Sequence, residues 1–236
     1  MSESSRESSF LNLVKSVIEA WLAGVRSVVY AAGRLFPDPS GVMARAGDWL
    51  DRVRGQLLPS LEQTAAEAWE ESSGEPYVSN NSFVLAQLAI TQNLLVNIPN
   101  DVYNRVFSVI VEGQMAGESR DQIADRVDEV LFLTGSDWWE SRARTIAQTE
   151  THRAWQAGIM ASALYYEPAT GPGWVKEWHT EMDGRERPSH KRANGQVRRL
   201  SEPFNVGGAM LRYPGDAAGP ADEVINCRCD MIIRER

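Results

Sequence analysis

Four side chains able to hold a soft metal fall in the last third of this 236-residue sequence: His179, His190, Cys227 and Cys229. Neutral imidazole and thiolate are the ligands that tetrahedral zinc prefers, so the four make a candidate His2Cys2 set for a structural zinc. The two cysteines are the only ones in the sequence and stand one residue apart. A disulfide at that spacing would close a strained ring and staple very little, so thiols are expected, free or metal-bound. The cofactor-free alternative makes them two small buried thiols, with His190 hydrogen-bonded to Asp183 or to a backbone carbonyl. Spacing leaves both readings open, because C-x-C is a weaker metal signal than C-x-x-C.

The bend that carries His190 reads "DGRERPSHKRANGQ". Arg187 in it can form a forked pair with Asp183 or with Asp216, holding the turn by charge. Lys191, Arg192, Arg198 and Arg199 make a short basic run that can meet DNA phosphates, or simply remain solvated. Upstream, "ARTIAQTETHRAWQAG" places Arg144, Gln148 and Thr151 on adjoining turns of a helix, with Glu150 in reach of Arg153 or Ala154. A nuclease in which His179, Asp183 and His190 activate water on a metal is the enzymatic reading. Against it, no second carboxylate cluster accompanies them, and a non-enzymatic protein is expected.

The elements that must position these residues are mostly helical. Residues 1–9 are polar and serine-rich and read as a loose tail. From Phe10 to Phe36, apolar residues including Val14, Ile18, Trp21, Leu22, Val25 and Val29 recur at three- and four-residue steps, the mark of a one-sided helix. That stripe either docks on a partner, through Trp21, Leu22, Val25 and Val29, or builds this chain's own core. Residues 42–71 read helical with Pro59 as a kink. Pro99 separates two further helices, with Asn100 or Asp101 capping the second. Ser119 with Gln122 fits a capping box. A long helix is expected from about Ser136 to Tyr165. Beyond it the apolar runs shorten, and Trp174–His179, Val197–Leu200 and Asp230–Ile233 read as brief strands. The expected fold is α+β: a mostly helical amino-terminal two-thirds, then a small carboxy-terminal α+β module of short antiparallel strands. The expected divisions are 1–78, 79–166 and 167–236.

With 24 basic against 32 acidic residues the net charge is -8, which excludes a protein that coats nucleic acid through a uniformly positive surface. No run approaches the roughly 20 consecutive apolar residues of a membrane span. The start "MSESSRESSF" lacks the order of a secretion signal, which places the chain inside a cell or a particle assembled there.

Taken in order, "ARTIAQTETHRAWQAG", a tryptophan-bearing strand, "DGRERPSH" with "NGQ", "YPGD" and "NCRC" resemble the phage Mu F-like family of minor head proteins, over roughly Asn104 to Asp230. Family members often carry C-x-x-C where this chain has Arg187 and His190, and "HPNCRC" where it has Val224 and Ile225, so this chain has fewer metal ligands. The resemblance implies a minor head protein of a tailed bacteriophage, associated with the portal or inner head and acting in head morphogenesis, with a role in DNA packaging or ejection. The partners it implies are the portal protein or major capsid protein and packaged DNA, with neither a membrane nor a small-molecule substrate. Its implied location is the virion, and the host cytoplasm during assembly. A soluble assembly factor absent from the mature virion is the remaining reading.

Overall fold

The computed structural model describes residues 3–30, 37–132, 136–167 and 173–235, and they form an α+β fold. The helices α1 (Glu3–Val29), α2 (Ser40–Ala44), α3 (Ala46–Arg52), α4 (Leu58–Ser73), α5 (Ser82–Leu95), α6 (Ile98–Met115), α7 (Arg120–Leu131) and α8 (Asp137–Tyr166) come first. Then follow β1 (Trp174–His179), α9 (Pro188–Ala193), β2 (Val197–Arg199), β3 (Phe204–Val206), β4 (Ala209–Leu211), α10 (Ala221–Val224) and β5 (Asp230–Glu235). Contacts divide the chain into two compact units. A site unit comprises Met1–Phe10, Pro59–Thr91 and Thr145–Arg236, and a helical unit comprises Leu11–Leu58 and Gln92–Arg144. These discontinuous units differ from the three consecutive stretches expected from composition.

In the helical unit, the stripe on α1 is core. Trp21, Leu22, Val25 and Val29 are all at most 2% exposed, and the Trp21 ring lies 5.4 Å from that of Trp49. This corrects the docking expectation: apolar periodicity says that a face is covered, and here the chain itself covers it. Each of three buried tryptophans satisfies its indole N–H on a carbonyl: Trp21 on Arg45, Trp49 on Leu95 and Trp139 on Val130. The expected helix end at Phe36 lies outside the described residues.

Helix ends follow local chemistry. The capping box at α7 is present, with Gln122 N–H donating to Ser119 Oγ and Ser119 N–H donating to Gln122 Oε1. The two helices expected on either side of "NIPND" are present, with the break at residues 96–97 rather than at Pro99 itself. Pro99 sits in the first turn of α6, where its missing N–H has no helical partner to lose. Asn97 is the cap residue, so Asn100 and Asp101 lie inside the helix. Pro59 follows a π-helical turn, Val53–Leu57, in which Leu58 N–H bonds the Val53 carbonyl. That wider turn takes up the crowding a proline imposes on the carbonyl four residues before it. The serine-rich start is not a loose tail: α1 begins at Glu3, and Arg6 stacks 3.5 Å over the Trp155 ring within the site unit.

The most apolar stretch, α5 through α6, reaches a mean hydropathy of 1.2 over its best 18-residue window. It is interrupted between Leu95 and Ile98, and α6 carries Asp101, Arg105 and Glu112. At 14 residues, α5 spans about 21 Å, short of a bilayer's roughly 30 Å hydrocarbon core.

The site unit holds a three-stranded antiparallel sheet in the order β2-β1-β5, and the two-stranded hairpin β3-β4. Gly207 and Gly208 turn the hairpin with φ of 61° and 94°, the left-handed backbone that a two-residue turn of this hand requires. This hairpin was not expected from the sequence, although Gly-Gly between "FNV" and "AML" is a signal for one. The core includes Trp178, Phe204, Leu211, Tyr213 and Met231, together with both cysteines.

On β1, Lys176 is fully buried, with Nζ donating to the Leu200 (3.1 Å) and Arg212 (2.7 Å) carbonyls. Burial lowers its pKa to about 8. Between that value and the roughly 10.4 of an exposed lysine, the unfolded chain keeps a proton that the folded chain has released. Stability contributed by Lys176 therefore rises with pH across this window, whereas below it both states are protonated and the cost of burial is constant. The variant Lys176→Met is expected to lose that rise. Urea-denaturation midpoints of both proteins, followed at intervals through the window, check it, and identical pH profiles would contradict it.

Candidate functional site

The site is built around α8. Within it Thr149, Glu150, Thr151, His152, Arg153 and Gln156 are all buried, an unusual density of polar groups for one core helix. Buried polar groups must find partners, and most of these take theirs from segments far along the chain. Thr149 Oγ1 accepts the Asn226 N–H (3.0 Å). Gln156 Nε2 donates to Asp230 (2.8 Å), and its carbonyl oxygen accepts the Met231 N–H (3.1 Å). Arg153 Nε donates to the Gly215 carbonyl (2.9 Å), while its Nη1 lies 2.7 Å from both Glu150 oxygens. Thr91 donates to the same carboxylate (3.0 Å). The "TETHRAWQ" helix is therefore a strip that clips down "YPGD" and "NCRC". Gly215 and Asn226, at the clipped turns, both have positive φ.

Held in this way, the Cys-x-Cys return meets the bend. His190 on α9 is 2% exposed, with Nδ1 3.2 Å from Cys229 Sγ and 3.8 Å from Cys227 Sγ. Its Nε2 faces Glu223, 3.0 Å from the carbonyl oxygen and 3.1 Å from Oε2. Ser189 donates to that carboxylate (2.8 Å). The Trp178 ring stands edge-on to His190, 5.6 Å away. Thr180 Oγ1 donates to the His190 carbonyl (2.9 Å) and lies 3.5 Å from Cys229 Sγ. Donation from the Cys227 thiol lowers the pKa of Cys229, against the opposing effect of burial. The same bond and burial push Cys227 up.

Arg228, between the cysteines, closes the loop on the other side. It donates through both Nη atoms to Asp183 (2.8 and 3.0 Å), which also accepts from Arg185 Nε and Nη2. Arg228 first, then Arg185, hold the Asp183 carboxyl well below the usual carboxylate range. A cleft of about 360 Å³ opens beside Cys229 and His190, lined also by Gln148, Arg185, Arg187 and Arg228.

Of the residues singled out in the sequence, His190, Cys227 and Cys229 come together, with all their candidate ligand atoms within 4.8 Å of one another. His179 does not join them, because β1 alternates and Trp178 takes the inner side, leaving His179 exposed. Arg187 pairs with neither expected aspartate. Its guanidinium donates to the Ile225 carbonyl, Asp183 is taken by Arg185 and Arg228, and Asp216 by Arg212. The nuclease trio does not converge either: His179 faces solvent, Asp183 is saturated by arginines and His190 points at sulfur. Lys191, Arg192 and Arg199 are exposed, with Arg198 half-buried and donating to Gln196. Glu223, Thr180 and Arg228 escaped the sequence reading. Only the position of Arg228 between the two cysteines hinted at its role.

A buried polar helix strip that clips a Cys-Arg-Cys return against a histidine bend is the arrangement spanned by residues 104–232, which match the family described as Phage Mu protein F like protein. That is more than half of the sequence, and the chain belongs to this family. The minor head protein GP7 of Bacillus phage SPP1 is 33% identical to it over 133 residues, 56% of this chain and 41% of the relative. The chain thus spans about two-fifths of that relative's length. No solved structure matches.

Proposed function

We propose that this chain is a minor head protein of a tailed bacteriophage, incorporated in the head, where it binds other head components and acts in head morphogenesis. The observation that carries this reading is the family match over residues 104–232, which takes in the strip, the bend and the return described above, together with the likeness to GP7 of phage SPP1. The role is structural: the polar chemistry of the site unit is spent on holding segments of the chain together, and its acid, imidazole and thiol groups face one another. The portal protein is the partner proposed first and the major capsid protein second. Lys191, Arg192 and Arg199, exposed on α9 and β2, offer a local contact for packaged DNA despite the acidic chain.

The test is made in the phage or prophage that encodes the chain. Mass spectrometry of gradient-purified, DNA-filled particles is expected to find it at low copy, and a nonsense allele is expected to lower the titre and leave misassembled heads. Presence in lysates but absence from particles would replace this reading with a transient assembly factor. Normal particles and titre from the nonsense allele would remove the morphogenetic role.

A further inference from the structure

We propose that His190 Nδ1, Cys227 Sγ and Cys229 Sγ bind a divalent metal ion of the zinc class, with the fourth coordination place filled by water from the adjoining cleft rather than by a protein side chain. A tetrahedral zinc with Zn–N near 2.0–2.1 Å and Zn–S near 2.3 Å separates its nitrogen and sulfur ligands by about 3.6 Å. The two Nδ1–Sγ distances here, 3.2 and 3.8 Å, lie on either side of that value.

The orientation of the imidazole is a second, independent observation. A ligating histidine presents a bare nitrogen to the metal and fixes it by donating from the other ring nitrogen to a carboxylate or carbonyl. His190 has both acceptors on its Nε2 side, the carbonyl and the carboxylate of Glu223, and the carboxylate is itself held by Ser189. With the proton on Nε2, the Nδ1 lone pair points at the two sulfurs. All three candidate ligands are buried, so a bound ion would be shielded from competing solvent except on the side of the cleft that Cys229 and His190 line. Two thiolates and one imidazole favour zinc, or cobalt as its spectroscopic substitute, over magnesium or calcium. Thr180 and Glu223 support the ligands without belonging to the set, and His179, on the exposed face of β1, is excluded from it.

The probe is the full chain, purified under reducing conditions, stripped with a chelator and titrated with Co²⁺, with zinc content measured separately on unstripped protein. The expected result is about one equivalent of metal per chain, with an intense visible d–d spectrum and a near-ultraviolet thiolate-to-cobalt charge-transfer band. Added thiol, competing for the water position, is expected to deepen the charge-transfer band. The variant Cys229→Ser should lose the spectrum, whereas His179→Ala should keep it unchanged. Because Cys229→Ser can also unfold the unit, His190→Cys serves as the second variant: it should retain the ion and strengthen the charge-transfer band. Glu223→Ala, which removes one of the two acceptors for Nε2, is expected to weaken binding about tenfold. A stripped chain that takes up no cobalt, or a Cys229→Ser chain that binds metal as the parent does, would overturn the site. Loss of the spectrum in His179→Ala would overturn the three-ligand assignment.

Discussion

Alanine in place of Gly158 is expected to destabilise the site unit severely, although in an exposed helix the same change stabilises by about 1 kcal/mol. Gly158 lies in α8 where the helix passes the backbone of α4, and a Cβ placed there would stand 2.1 Å from the Ala65 carbonyl oxygen and 2.9 Å from its Cα. The neighbour is main chain inside a helix, so it cannot rotate out of the way as the tip of a long side chain could. Two helices must be pushed apart over the strip that carries Glu150, Arg153 and Gln156. Overpacking of this kind costs about 3 kcal/mol or more, which reverses the usual sign. Gly47 in α3 is the control, since nothing lies within 4 Å of the point its added methyl group would occupy, and Gly47→Ala should stabilise by about 1 kcal/mol. Denaturation midpoints of the two variants should therefore move in opposite directions. If both rise, the close approach of α8 to α4 is wrong.

The second large effect belongs to the buried ion pair. Glu150 and Arg153 are 6% and 2% exposed. Arg153→Ala strands the carboxylate with Thr91 as its remaining hydrogen-bond donor and also frees the Gly215 carbonyl. Removing one partner of such a pair costs about 3–5 kcal/mol, most of it the penalty of an uncompensated buried charge. Replacing both, as Glu150→Leu with Arg153→Met, removes that penalty and should recover most of the loss. A double-mutant cycle on unfolding free energies measures the difference directly. Additive losses in the double variant would show that the two charges are not energetically coupled.

These two expectations also mark what a sequence can and cannot disclose. The stripes on α1, α4 and α7 were legible because each apolar position recurs at the helical period, and the Ser119 box because its partners lie three residues apart. Periodicity does not say what covers a face, and Trp21, read as able to meet a partner, is instead packed against Trp49. β1 was legible at its full length, but β3 and β4 are three residues each, too short for alternation to declare itself. In the candidate site, imidazole and thiols could be paired by their chemistry. The exclusion of His179 needed the orientation of one strand. The acceptors of Lys176, two turn carbonyls 24 and 36 residues further on, leave no local trace. Nor do the contacts of Gly158, because a glycine that makes room for a distant backbone looks the same in sequence as one that ends a helix.

The clipping strip on α8 has a consequence for folding during synthesis. Its ties to Gly215, Asn226 and Asp230 join residues 62 to 77 positions apart, so a nascent chain with α8 already outside the ribosome holds a helix studded with unmet polar groups. Closing loops of that length is entropically slow. The helical unit, whose segments are complete by Arg144, can collapse while translation continues, whereas the site unit can close only after Met231 has emerged.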